Sequence, residues 1–128
     1  MTTRETARRV AIGIAAGRIT LGFGALMTTG PALRVLGFPG TDTTGHALAR
    51  LAGGRDLALG ALTLAARDHT AALRAFVLAG ASLDAADALT LGLAGQKDSE
   101  LRLAGIGGFV SGGSAALAGA WAWRRLQA

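Results

Sequence analysis

The sequence predicts an all-α protein, a four-helix transmembrane bundle running antiparallel up-down-up-down, and three observations carry that expectation. Four apolar segments, at about residues 10–28, 46–66, 71–94 and 101–123, are each roughly as long as a helix must be to span the hydrocarbon of a bilayer. Half the chain is apolar, yet it holds 20 Gly, four Phe, two Trp and no Tyr. A water-soluble core of Ala and Gly would bury little side-chain area for the backbone entropy it fixes, whereas membrane helices pack by close backbone approach, which small residues permit. Lys and Arg sit mostly at segment ends, the pattern of topology signals rather than of a nucleic-acid face.

The 128 residues suit one domain, a single integral membrane unit. Segment one is preceded by Arg4, Arg8 and Arg9 and stopped by Thr28-Thr29-Gly30-Pro31. Residues 32–36 suggest a short interfacial turn of helix, and residues 37–45 form the longest turn-rich loop. Segment two follows and ends at the tight polar connection Arg67-Asp68-His69-Thr70. Segment three, with two Asp, reads as the weakest span. Residues 95–100 link it to segment four, with Ser99 as the expected helix cap. Short links make consecutive segments antiparallel neighbours.

With the N-terminus inside, the inner side holds Arg4, Arg8, Arg9, Arg67, Arg74, Arg124 and Arg125, and the outer side Arg34, Arg50, Lys97 and Arg102. This asymmetry predicts a multi-pass protein of the cell membrane with both termini cytoplasmic. Trp121 and Trp123, just before Arg124-Arg125, read as an anchor at the same inner boundary. Two plainer readings compete. A cleavable signal peptide would use Arg8-Arg9 and the apolar run after it, but Arg18 breaks that run and no clear small-x-small cleavage site follows at the right distance. A soluble helical bundle is kept open by the charges of segment three.

Five charges interrupt the most apolar stretches: Arg18, Arg55, Asp56, Asp84 and Asp87. A charge at such depth is costly unless paired or hydrated. At the helical rise, all five fall roughly 12 to 20 Å from the inner boundary. Asp84 and Asp87 are three apart and share a face. Arg55 is their expected partner, since segments two and three are joined by a tight turn. Arg18 is the second candidate, and Asp56 is turned to serve Arg18. Two Arg against three Asp leaves one surplus carboxylate. Gly13-x3-Gly17 in segment one, and Gly105, Gly108, Gly112 and Gly113 in segment four, are expected contact points between helices. Gly53-Gly54, before Arg55, is expected to admit a neighbouring helix or a ligand.

No cysteine is present, which excludes disulfides, thiolate metal sites and Cys nucleophiles. His46 and His69 lie too far apart in sequence for a metal-ligand pair, so neither metal nor cofactor is expected. Gly105-Ile106-Gly107-Gly108 follows no strand and is not a dinucleotide loop. Residues 112–116 lack the nucleophile-elbow pattern.

The stretch Arg55-Asp56-Leu57-Ala58-Leu59-Gly60, with Ala86-Asp87 in segment three, resembles small four-helix membrane proteins of bacteria and fungi that are grouped as a domain of unknown function. Their pattern is Arg-Asp-x-x-Leu-Gly on helix two and Ala-Asp on helix three, and the likeness covers nearly the whole chain. It implies membrane residence and no particular activity. A looser likeness to DoxX-type membrane proteins rests on Arg18-x3-Gly22 and the Gly-rich helices, without their helix-two acidic pattern.

The functional expectation is an accessory or lipophilic-ligand-binding module with a mid-membrane Arg/Asp polar core. Its partners are the lipid bilayer and either a lipophilic small molecule or another membrane protein, with no nucleic acid. The alternative is a small membrane enzyme, of isomerase or cyclase type, using Asp and Arg in acid–base chemistry on a lipophilic substrate.

Overall fold

The computed structural model describes residues 2–40 and 42–127, and among them the chain is all-helical. Thr41, in the expected loop, lies outside the described residues. Helix α1 (Thr3–Met27) is capped by Thr2, whose hydroxyl accepts from the Glu5 backbone N–H. The Thr-Thr-Gly-Pro stop redirects the chain rather than unwinding it. A seven-residue helix, α2 (Thr29–Val35), follows at once. Gly37 ends that turn at φ +83°, a left-handed conformation suited to glycine. Its position against Leu103 and the Ala104 backbone leaves no room for a side chain.

Asp42 caps α3 (Thr43–Ala65), its carboxylate accepting from Gly45 N–H at 2.8 Å. Helix α4 (Thr70–Lys97) begins after a short turn. Ser99 does not cap the next helix. It opens a single 3₁₀ turn, Ser99–Leu101, whose cap is Asp98. Helix α5 (Arg102–Arg125) continues from that turn without a side-chain cap.

Among the described residues, three stretches are long and apolar enough to cross a membrane: α1, α4, and residues 99–125, which comprise the 3₁₀ turn and α5. The weakest span was expected in segment three, but α4 qualifies. The exception is α3, whose 23 residues include Arg50, Arg55 and Asp56. The extended length of α4, 28 residues, dilutes its two Asp with apolar turns on either side.

The long helices pack as two pairs, α1 with α3 and α4 with α5. Glycines set both contacts. A Cβ on Gly22 would lie 2.5 Å from the Gly53 carbonyl oxygen, and one on Gly60 would lie 2.7 Å from that of Ala15. In the other pair, a Cβ on Gly105 would meet Gly95 Cα at 2.7 Å, and Gly112 and Gly119 abut Ala88 and Ala81. Gly13 and Gly17 were expected at a contact, but both face open space, as do Gly54 and Gly113. Spacing shows that residues share a face; it does not show which face is packed.

The pairs meet at the arginine-rich end. There Ala7, Ala11, Ala66, Leu73, Val77, Ala122 and Leu126 form the buried cluster, which places the starts of α1 and α4 beside the ends of α3 and α5. Only one large side chain, Leu73, is fully enclosed among the described residues. Many bulky apolar side chains point outward instead, among them Leu21, Phe23, Leu51, Leu89, Ile106, Phe109 and Leu117. Contact between α3 and α4 is sparse, although a tight turn joins them.

Candidate polar core and its geometry

The structure brings all five interrupting charges together in one chain of ion pairs between the two helix pairs. Arg18 projects from α1 and is only 7% exposed. Its Nη1 donates to Asp56 Oδ1 of α3 at 3.0 Å. Its Nη2 donates to Asp84 Oδ2 of α4 at 2.6 Å and to the Gly80 carbonyl at 2.9 Å. Arg55 of α3 grips Asp87 of α4 with both terminal nitrogens, at 3.3 and 2.5 Å. Its Nη2 also lies 3.5 Å from Asp56 Oδ1. Asp56 therefore joins the two arginines, and the order runs Asp84, Arg18, Asp56, Arg55, Asp87.

Arg18 is the hub because an arginine presents a planar fork of donors that one carboxylate cannot exhaust. It reaches from α1 to α4 across the molecule, where backbone contact between those helices is almost absent. Asp84 and Asp87, three apart on one face of α4, divide between the two arginines instead of sharing one. The division removes the repulsion that two bare carboxylates would suffer at low dielectric.

Burial is uneven along the chain of pairs. The Arg18 and Asp84 side chains are 8% and 15% exposed, whereas those of Arg55 and Asp87 are 35% and 44% exposed. One end is thus closed and the other open. Arg55 Nε is buried without a partner among the described residues. Beside Arg18 is a cavity of about 10 Å³, near the minimum for a single water. Thr63 borders it, with its hydroxyl turned to the Leu59 carbonyl of its own helix.

Gly80 belongs to the site and is invisible to charge-based reading. A Cβ there would lie 3.0 Å from Arg18 Nη2, so a side chain at 80 would press on the guanidinium. It stands one turn before Asp84 on the same face, a spacing that alone does not mark it as part of the site. No group of His, Cys, Asp or Glu able to hold a metal ion occurs among the described residues.

At the arginine-rich end, Arg8 pairs with Asp68 of the α3–α4 turn, and Arg4 Nη2 donates to Thr70 Oγ1 at 3.0 Å. The Arg74 guanidinium stands 5.5 Å from the centre of the Trp123 ring, within cation–π range. Compared with known proteins, the chain matches no family model, no curated protein and no solved structure.

Proposed function

We propose that this chain is an integral membrane module with four spans, both termini on the cytoplasmic side, in which the Arg/Asp chain clamps two helix pairs together. The observation that carries this reading is the inverted distribution of side-chain size. Alanines and glycines make up most of the interior, with Leu33, Leu59, Leu73, Val77 and Leu126 the bulky exceptions, while many Leu, Ile, Val and Phe side chains are exposed. Water would penalise so much exposed apolar surface, and hydrocarbon solvates it. On this reading α3 crosses despite its three charges, because Arg55 and Asp56 are paired inward and Arg50 lies near its outer end.

The role that fits the geometry is an accessory protein or a binder of an apolar partner. The closed end of the ion chain supports an architectural use of its charges, since Arg18 has a partner at each terminal nitrogen and only a water-sized space beside it. The open end favours a second reading, a membrane enzyme of isomerase or cyclase type. There a half-exposed Asp87 would exchange the proton and Arg55 would stabilise developing charge.

An alkaline carbonate wash of membranes from expressing cells tests the first part. The protein is expected to stay with the membrane pellet, and release into the supernatant overturns the reading. The two roles separate on Asp87→Asn. An architectural carboxylate changes unfolding temperature, whereas a catalytic one abolishes turnover of a lipophilic substrate without loss of the folded protein.

A further inference from the structure

Outside the mid-molecule network, a cleft of about 240 Å³ opens at the arginine-rich end. It lies where the start of α1, the α3–α4 turn and the end of α5 converge. Arg4, Arg8 and Arg67 line it, against Glu5 and Asp68. Those two carboxylates are already engaged. Glu5 is 3.5 Å from Arg9 on the outer side of α1. Asp68 takes Arg8 and also the Nε edge of Arg67, at 3.3 Å. Arg4 meets only the Thr70 hydroxyl among the described residues, and the terminal nitrogens of Arg67 make no ion pair there. The cleft therefore holds an excess of guanidinium donors suited to a forked grip on phosphate oxygens.

Behind the arginines the wall is closed by Leu73 and Leu126, both almost fully buried and continuous with the alanine cluster. Arg74 against Trp123, and the partly exposed Trp121, mark the same level of the molecule, as residues at a membrane–water boundary do. Free arginine donors at that level suit the phosphate of a molecule whose hydrocarbon lies in the adjoining bilayer.

The geometry points to this cleft as a binding site for the phosphodiester headgroup of an anionic phospholipid. The assignment rests on the membrane reading above, because the bilayer is what delivers such a headgroup to this level. Arg4 and Arg67 hold the phosphate, and Arg8 with Asp68 fixes the wall. A free phosphate would use the same arginines without needing a bilayer beside them.

The test uses the full-length protein purified in a non-ionic detergent. Native mass spectrometry compares retention of dioleoylphosphatidylglycerol with that of dioleoylphosphatidylcholine, and unfolding midpoints are read with each lipid and with inorganic phosphate alone. Preferential retention of phosphatidylglycerol is expected, with a larger rise in midpoint than either other addition produces. Arg4→Gln and Arg67→Gln should each lower that preference about fivefold. Arg34→Gln and Lys97→Gln, at the opposite end, should leave it unchanged. Equal retention of the two lipids overturns the proposal without any variant being needed. A full midpoint shift from phosphate alone overturns it in favour of a free-anion site. Preference retained in both cleft variants places the lipid elsewhere and also overturns it. Membrane residence is read separately by the carbonate wash, so failure here does not disturb that reading.

Discussion

Arg18 and Arg55 do the same chemistry in different surroundings, and their substitution tests what those surroundings are. Arg18→Ala strands Asp84 in a closed site and leaves Asp56 only its longer contact to Arg55, which should cost about 3 kcal/mol or more. Arg55→Ala leaves Asp87 unpaired on the more exposed side of the network, which on the membrane reading faces hydrocarbon, so it too should cost about 3 kcal/mol. Unfolding in detergent, followed by the helical signal, reads both. A loss below about 1 kcal/mol at Arg55 would mean that water reaches Asp87 and would place it outside the hydrocarbon. The contact itself is checked by pairing Arg18→Ala with Asp84→Ala. The double variant should lose less than the sum of the single losses, because the second change removes a charge that the first had stranded. Simple additivity would mean that the two groups do not couple. All five charged members of the network were legible in the sequence, because charges inside apolar runs stand out against the cost of burying them. Gly80 was not, since nothing about a glycine in a helix announces that a guanidinium rests on it.

At the scale of the helix, the glycines divide into two kinds that the sequence does not distinguish. Gly22, Gly53, Gly60, Gly95 and Gly105 stand where backbones touch, and a methyl group has no space there. Gly13 and Gly17 stand where nothing is near. Replacing glycine by alanine in an open helical position gains roughly 0.5–1 kcal/mol from restricted backbone freedom. Gly13→Ala and Gly17→Ala should therefore be neutral or stabilising, and Gly22→Ala and Gly105→Ala destabilising. Unfolding midpoints in one detergent should show this reversal of sign, and a uniform response at all four sites would refute the packing described. The long segments themselves were readable from length and hydropathy, and the short helical turn expected at residues 32–36 overlaps α2, which begins earlier, at Thr29. The distribution of contacts was not. A short connection suggests that α3 and α4 are close neighbours, yet each packs mainly on its other partner, because that is where the unobstructed glycine backbones are.

For the whole molecule, the charge at its two ends makes the proposed topology testable. Arg4, Arg8, Arg9, Arg67, Arg74, Arg124 and Arg125 belong to one end, and Arg34, Arg50, Lys97 and Arg102 to the other side of the sequence-derived spans. Reporters fused at the C-terminus and inserted in the loop of residues 37–45 should report opposite sides of the membrane, with the C-terminal one cytoplasmic. Both on one side would exclude an even number of spans. What sequence could not supply at this scale is the arrangement of the interior. Hydropathy does not say which apolar residues face inward, and here alanine dominates the buried set while many bulky side chains are exposed.

The division of charge between the helix pairs has a consequence for how the chain is made. Translation completes α1 and α3 before Asp84 and Asp87 exist. During that interval Arg18 and Arg55 have only Asp56 between them, so the first hairpin carries an uncompensated positive charge at its middle. The second hairpin, produced alone, would carry two acids and no cation at that level. Neither half is a finished product in lipid, and each supplies what the other lacks. A chain truncated after α3 should therefore be degraded in cells, and coexpressing residues 67–128 as a separate polypeptide should restore its abundance. On the membrane reading, the ion chain would thus serve as an assembly check, met only once both hairpins have been synthesised and joined.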